Sequence, residues 1–197
     1  MSEHASIDGR VLGWNRIAVL GGSFDPPHVG HVLLASYVLS VGEFDGVIIV
    51  PTHSHAFGKL MAPFAHRIAM SERAFSVVDP KRCIVSSLEV SLPAPSFTVQ
   101  TLEAIHAQHP TALMRLVVGA DILASANQWR SIDRVRALAP FFVVGRAGFE
   151  AVSDVRAELI QVSSTEMRRK LKAHQDVTSW MPLAVRAYIA EHNLYGA

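Results

Sequence analysis

The stretch that decides the fold is Gly21-Gly22-Ser23-Phe24-Asp25-Pro26-Pro27-His28-Val29-Gly30-His31. It follows a short apolar run, Ile17 to Leu20, that has the composition of a β-strand. It opens a longer segment, Gly30 to Val41, in which apolar residues recur at helical spacing. A strand, a glycine-bearing loop and a helix in this order put the loop at the carboxyl end of a parallel strand, where open α/β sheets bind ligands.

The same alternation continues along the chain. Further strand candidates are Val47 to Val50, Ile84 to Leu88, Leu116 to Val118 and Phe141 to Val144. Further helix candidates are Ala65 to Val78, Thr98 to His109 and Ile132 to Leu138. Short, almost wholly apolar strands between helices predict an α/β fold, a doubly wound parallel sheet covered on both faces.

The pattern changes after Gly145. A brief apolar run, Leu159 to Val162, is followed by two helical stretches, Ser164 to Ala173 and Pro182 to His192. Proline suits the first turn of a helix, and Asn193 suits the end of one. We therefore expect a small C-terminal helical part attached to the sheet.

Composition favours one globular domain. Half of the 197 residues are hydrophobic, which predicts a single domain over residues 15–197 behind a loose leader, residues 1–14. With 18 Lys and Arg against 17 Asp and Glu, neither nucleic acid nor a membrane is expected as a partner.

The single cysteine, Cys83, begins a strand candidate and is expected to be a buried thiol. It fits a cytoplasmic location. A homo-oligomer is left open.

The first loop has the chemistry of a phosphate site. Gly21 and Gly22 let a ligand approach the main chain, and the helix start offers N–H groups and a positive dipole end. His28 and His31 stand one helical turn apart, so both rings can face a phosphoryl group. The alternative for these histidines is helix capping and exposure to solvent. The loop lacks both the P-loop ending and the dinucleotide-binding glycine spacing.

A second motif, Ser163-Ser164-Thr165-Glu166-Met167-Arg168, combines a hydroxyl N-cap candidate with an acidic residue in the first turn, which predicts a helix start. Arg168, one turn into that helix, could bring a forked, permanently charged group to a triphosphate. On its own the string is more typical of an ordinary capping box than of a ligand site.

Together the two motifs resemble the nucleotidylyltransferase superfamily, whose His-x-Gly-His and Ser-Ser-Thr-x-x-Arg elements they match. From about Ile17 to Tyr195 the chain is similar to the nicotinate-nucleotide adenylyltransferase family, with its Rossmann-like sheet. Further landmarks are Pro95-Ser96-Phe97-Thr98-Val99-Gln100-Thr101-Leu102, Gly119-Ala120-Asp121 and Trp129. The resemblance implies that AMP is transferred from ATP to nicotinate mononucleotide or nicotinamide mononucleotide, with Mg²⁺ accompanying ATP and no dedicated metal ligands on the chain.

The resemblance also implies site residues. The catalytic set is His28, His31, Lys59 and Arg168. The ATP set is Gly21, Gly22, Ser23, Phe24, Gly30, Gly119, Asp121, Ser164 and Thr165. The set for the mononucleotide is Thr98 and Trp129. The structural alternatives are that Thr98 caps a helix, that Asp121 caps a turn and that Trp129 is a packing residue.

One loop departs from the family pattern. Where the family has Pro-Pro-His-Lys or a close variant, this chain has Pro51-Thr52-His53-Ser54-His55-Ala56-Phe57-Gly58-Lys59. Lys59 can take the place of the basic residue, but Gly58 replaces its histidine neighbour. The preferred acceptor is therefore left open. Alternatives are another acceptor such as phosphopantetheine, a cytidylyltransferase, or a nucleotide-binding sensor without turnover. A metal site on the histidines is disfavoured because no acidic or thiolate ligand joins them.

Overall fold

The computed structural model describes residues 9–55, 58–145 and 162–196. Within them, five strands form one sheet in the order β3-β2-β1-β4-β5, and every neighbouring pair is parallel. The strands are β1 (Arg16–Gly22), β2 (Gly46–Pro51), β3 (Cys83–Val85), β4 (Leu113–Gly119) and β5 (Phe141–Val144). The predicted doubly wound parallel sheet is confirmed.

Helices cover both faces of the sheet. In chain order they are α1 (Val29–Val41), α2 (Phe64–Phe75), α3 (Thr98–Gln108), α4 (Leu123–Ala126), α5 (Ile132–Leu138), α6 (Ser164–Lys172) and α7 (Leu183–Glu191). Pro182 immediately precedes α7 as its N-cap, and Asn193 has a left-handed φ of 50°, as expected just beyond a helix end.

Two hydrophobic clusters hold these layers to the sheet. Alternate residues of the central strands point to opposite faces, so Ala18 and Leu20 join one cluster, and Ile17 and Val19 join the other. The first cluster packs against α1, α2, α6 and α7, and the second against α3 and α5. Because both faces are buried, the strands had to be apolar throughout, which is the pattern seen in the sequence.

Two elements, β3 and α2, end three residues earlier than predicted. The third strand ends at Val85, and Leu88 belongs to a 3₁₀ turn, because Ser86 turns the chain by accepting the N–H of Leu88 at 3.2 Å. Helix α2 ends at Phe75 rather than Val78. There the Ser76 hydroxyl donates to the carbonyl of Arg73 at 2.9 Å and so competes with further helical bonds.

The remaining sequence expectations fall at the edges of the described chain. Residues 9–14 form a short turn in which Val11 is fully buried, and Trp14 packs on the same cluster. The predicted run Leu159 to Val162 lies outside the described residues except for Val162, which is buried. Within the described ranges, no helix combines the length and apolar character that crossing a bilayer requires.

Candidate active site

A cavity of about 850 Å³ opens at the carboxyl ends of the central strands. Gly21 and Gly22 reach it from β1, and Gly119 reaches it from β4. These two strands are neighbours, but the chain leaves them towards opposite sides of the sheet. The cavity therefore lies at the point where the strand order reverses, which is where a doubly wound sheet leaves a crevice for a ligand.

The first motif forms one wall of this cavity. His28 is the N-cap of α1, and His31 lies in the first turn. Their rings stack at 3.7 Å between centroids, and both line the cavity. The Nδ1 atom of His31 accepts the main-chain N–H of His28 at 3.2 Å, so the neutral ring carries its proton on Nε2. Capping thus uses Nδ1 of His31, whereas the predicted binding of phosphate would use Nε2.

The glycines of this motif have two different reasons to be glycine. A Cβ on Gly22 would lie 3.2 Å from the Phe24 ring, a tight contact that the ring would have to relieve by moving. A Cβ on Gly21 would meet nothing within 4 Å, which leaves open space beside its main chain at the cavity. Phe24 itself is buried and contacts His31 edge to face, so only its main chain remains available to a nucleotide.

The second motif forms the opposite wall and is bonded directly to the first. Ser163 caps α6 by accepting the N–H of Glu166 at 3.2 Å, as the capping pattern predicted. Ser164 donates to the carbonyl of Pro26 at 2.9 Å. Ser164 and Thr165 line the cavity. The two motifs, more than 130 residues apart in sequence, therefore meet at one place.

Lys59 enters the cavity from the unusual loop. Its ammonium lies 3.4 Å from the hydroxyl of Ser23 in the first motif. Gly58 precedes it with a left-handed φ of 66°, a conformation that glycine adopts without strain. Burial lowers the pKa of Lys59, the neighbouring Arg168 lowers it further, and Asp25 opposes both. A basic group thus lines the cavity, although the local sequence that the family usually has is absent at this loop.

Helix α3 and the segment after β4 supply the remaining wall. Thr98 is the first residue of α3 and lines the cavity, together with Trp129. The cap position is Phe97, so the alternative that Thr98 caps the helix is wrong. Trp129 also packs against Phe141 of β5, with ring centroids 6.1 Å apart. It therefore combines a packing contact with a face on the cavity.

Known proteins can now be compared with this arrangement. A model of the cytidylyltransferase-like family matches residues 19–170. A probable nicotinate-nucleotide adenylyltransferase from Anaeromyxobacter dehalogenans is 40% identical over 186 residues, covering 94% of this chain and 99% of that protein. One from Myxococcus xanthus is 36% identical over 181 residues, covering 92% and 95%. The chain belongs to the nicotinate-nucleotide adenylyltransferase family.

A solved structure agrees with the fold. The nicotinic acid mononucleotide adenylyltransferase of Plasmodium falciparum, complexed with NaAD, superposes with a TM-score of 0.78 at 20% identity, over 92% of this chain and 98% of that one. Identity this low supports the shared fold alone. The resemblance proposed from the motifs is confirmed at the level of the family.

The cavity brings together most residues that the family resemblance implied. The predicted residues that line it are Gly21, Gly22, Ser23, His28, Gly30, His31, Lys59, Thr98, Gly119, Trp129, Ser164 and Thr165. Phe24 and Arg168 lie behind this lining. Asp121 is the second residue of the 3₁₀ turn Ala120–Ile122, but its side chain lies outside the described atoms. The roles of all these residues in ligand binding stay predictions.

Sequence reasoning missed two buried groups that hold the cavity together. Arg67, 1% exposed, donates to the carbonyls of Ser23, Thr52, His53 and Ala62 at 2.6 to 3.3 Å. One guanidinium thus fixes the first motif and the unusual loop to each other. An arginine within the buried face of an otherwise amphipathic helix was the signal available in the sequence.

The second missed group is Glu89. It is 6% exposed and lines the cavity. Its carboxylate accepts the hydroxyl of Thr101 at 2.7 Å and the main-chain N–H of His53 at 2.8 Å. It therefore links the unusual loop to helix α3. No local pattern pointed to it, because its partners are 12 and 36 residues away.

Proposed function

We propose that this protein transfers AMP from ATP to nicotinate mononucleotide, forming the dinucleotide and pyrophosphate of NAD biosynthesis. The observation that carries the proposal is the meeting of the two motifs across one cavity, with Ser164 donating to Pro26 at 2.9 Å. Whole-length similarity to nicotinate-nucleotide adenylyltransferases supports the choice of acceptor.

The arrangement suits a reaction that needs alignment more than acid–base chemistry. The phosphate oxygen of the mononucleotide is already anionic, so no general base is required to activate it. The oxygen attacks the α-phosphorus of ATP, the bond to the β-phosphate oxygen breaks, and pyrophosphate leaves with the bonding electrons. Negative charge grows on the α-phosphate oxygens and on the departing pyrophosphate. Donors fixed in advance around those positions stabilise it.

Particular residues have the chemistry for each part. Protonated Nε2 of His31, with His28 stacked beside it, would donate to the α-phosphate oxygens. Lys59 and Arg168 would offset charge on the leaving pyrophosphate. The start of α6, with Ser164 and Thr165, would offer N–H groups and hydroxyls to the triphosphate.

The acceptor would occupy the side of the cavity formed by α3 and Trp129. The indole ring could stack on the pyridine ring, and Thr98 at the start of α3 could bind the pyridine carboxylate. His55, which belongs to the unusual loop, also lines the cavity. Burial and the charge of Lys59 lower its pKa. A neutral ring there leaves acceptor selection to the hydrogen bonds of the pocket.

ATP would bring a divalent metal ion with it, and we propose Mg²⁺. Within the described residues, no three His, Cys, Asp or Glu side chains converge as a metal cage. A lining of glycines, hydroxyls and basic groups fits an ion carried by phosphate oxygens and water. The metal would neutralise triphosphate charge, and the protein's part is to orient the phosphates. A cytoplasmic location stays a prediction.

Pyrophosphate release tests the proposal. Purified protein receives ATP and MgCl₂ with nicotinate mononucleotide, nicotinamide mononucleotide or phosphopantetheine as the acceptor in parallel reactions. We expect kcat/KM to be largest for nicotinate mononucleotide. A preference for nicotinamide mononucleotide would mean that the loop around Lys59 has changed acceptor selection. The proposal would be overturned if pyrophosphate were released with phosphopantetheine alone, or if none of the three acceptors supported release.

A further inference from the structure

A buried carboxylate joins four separate parts of the chain behind the cavity. Asp25 lies in the first motif and is 1% exposed. Its Oδ1 atom accepts the main-chain N–H of Ala62 at 3.1 Å and the hydroxyl of Tyr195 at 2.8 Å. Its Oδ2 atom lies 3.5 Å from Nη1 of Arg168. A buried carboxylate is stable only when such partners compensate for the water that it has lost.

Asp25 also fixes the arginine of the second motif. Nη1 of Arg168 donates to the main-chain carbonyl of Asp25 at 2.6 Å, and Nη2 donates to the hydroxyl of Thr165 at 3.2 Å. The guanidinium is thus held from two sides, one of which is the Asp25 residue itself. Because the group is planar and forked, a small shift of either partner changes where its remaining N–H groups point.

Tyr195 is the outer member of this chain of contacts. It lies in the turn Leu194–Gly196, with a left-handed φ of 61°, and its ring packs against the first hydrophobic cluster. Burial and the nearby Asp25 carboxylate raise the pKa of its hydroxyl above the ordinary value of 10, so the hydroxyl is a donor at neutral pH. A turn far along the sequence is therefore bonded to the first motif.

We propose that Tyr195 and Asp25 are positioning residues for adenylyl transfer, in which the Tyr195 hydroxyl fixes the Asp25 carboxylate and that carboxylate orients the Arg168 guanidinium towards the triphosphate. This inference rests on the proposed function. Neither residue touches a substrate; they act through Arg168. The contact of the Tyr195 hydroxyl with Asp25 helps to hold the left-handed backbone at this tyrosine, since a non-glycine residue with positive φ persists only where its surroundings compensate for the cost.

The variant Tyr195→Phe removes one oxygen atom and keeps the ring. We expect kcat/KM for ATP to fall about tenfold, because Oδ1 of the buried Asp25 loses one of its two hydrogen bonds and shifts or takes on water, while the KM for nicotinate mononucleotide stays within about twofold. The matched control is Tyr188→Phe. That tyrosine is buried, whereas Tyr195 is half-buried, and the Tyr188 hydroxyl lies 2.9 Å from Nδ1 of His66, away from the cavity. The control should keep both kinetic constants, although both variants lose some thermal stability.

A double-mutant cycle separates positioning from a general loss of structure. If Tyr195 acts through Arg168, then Tyr195→Phe added to Arg168→Lys should weaken ATP binding by less than about twofold further. If the two substitutions instead weaken ATP binding independently, so that their fold-changes in Kd multiply in the double variant, the inference is overturned. Wild-type kinetics in Tyr195→Phe, or an equal loss of affinity for both substrates, would also overturn it.

The cycle is measured as the Kd for ATP and Mg²⁺ by calorimetry without an acceptor. This readout separates the two proposals. If ATP binds and the cycle is non-additive but no acceptor supports turnover, the proposed function fails and the positioning role stands. If turnover with nicotinate mononucleotide is normal but the cycle is additive, only the positioning role fails.

Discussion

His31 serves the fold with one ring nitrogen and faces the cavity with the other. Nδ1 accepts the main-chain N–H of His28, which caps the start of α1. This bond leaves the proton on Nε2, where a donor to a phosphoryl oxygen is needed. Edge-to-face contact with Phe24, at 4.9 Å between centroids, holds the ring plane. One substitution of His31 can therefore remove Nε2 and keep an acceptor for the His28 N–H, and another can remove both.

We expect His31→Asn and His31→Ala to lower kcat similarly, by about a hundredfold or more, because both lose the donor to the developing charge. They should differ in stability. The Asn amide oxygen can still accept the His28 N–H, whereas Ala loses the cap at a cost of about 1 kcal/mol. Steady-state kinetics and thermal melting measure the two effects separately. Near-normal kcat in the Asn variant would contradict the assigned role of Nε2.

Cys83 gives a second prediction. It is the single cysteine and is buried at the start of β3, where burial raises the pKa of its thiol to about 12. Since the thiolate is the reactive form, iodoacetamide at pH 8 should leave the native protein unmodified and should alkylate it fully in urea. Mass spectrometry measures the fraction modified. Equal rates in both states would mean that the thiol is accessible.

At the scale of residues, the sequence predicted groups that belong to a contiguous motif and missed those that act at a distance. His28 and His31 were found because one helical turn separates them. Arg67 and Glu89 were not, because their partners come from loops 5 to 44 residues away, brought together only by the sheet order. Asp25 stood within the quoted motif, but its contact with Tyr195 spans 170 residues.

Three helix starts converge on the cavity. The N-terminal residues of α1, α3 and α6 contribute His28, Thr98 and Ser164 to its lining. Each start offers main-chain N–H groups and a partial positive charge to an anion. This explains how a chain with a net charge of +1 can bind two highly anionic substrates without a broad basic surface.

The Asp45 carboxylate caps the start of β1, and its contribution to stability should depend on pH. The carboxylate of Asp45 accepts the N–H groups of Asn15 and Arg16 at 2.6 and 2.9 Å, and these bonds hold its pKa below the ordinary value of 3.8. A depressed carboxylate pKa adds stability above the unfolded pKa, and that stability disappears as the pH falls through the folded value.

Asp45→Asn should therefore lower Tm at pH 7, and the gap to wild type should close as the pH falls below 3.8 and through the lowered folded-state pKa. Thermal melts between pH 2 and pH 7 measure it. Glu72→Gln, an exposed change within α2, serves as the control and should produce no comparable gap. A gap for Asp45→Asn that is constant over this range would rule out the charged cap.

Periodicity predicted the type of the elements, but it did not predict where β3 and α2 end. Ser86 and Ser76 stop β3 and α2 with side-chain hydrogen bonds to nearby main chain. Such bonds compete with strand and helix bonding, and apolar periodicity does not register them. The 3₁₀ turn and α4 after β4 were missed because each is shorter than the window that reveals a helical pattern.

At the scale of the whole molecule, the strand order accounts for the site. Placing β1 between β2 and β4 sends the chain to opposite faces from adjacent strands and opens the crevice beside Gly21 and Gly119. The later helical part then brings Ser164 onto Pro26 and Tyr195 onto Asp25. The sheet creates the cavity, the start of α6 completes its lining, and Tyr195 is bonded behind that lining.

The most direct test follows the AMP group itself. The protein is incubated with nicotinate mononucleotide, MgCl₂ and ATP labelled at the α-phosphorus, and the products are separated by chromatography. The label is predicted to appear in nicotinate adenine dinucleotide with wild-type protein and to remain in ATP with His31→Asn. Label recovered as free AMP, or an unlabelled acceptor with wild-type protein, would contradict adenylyl transfer at this cavity.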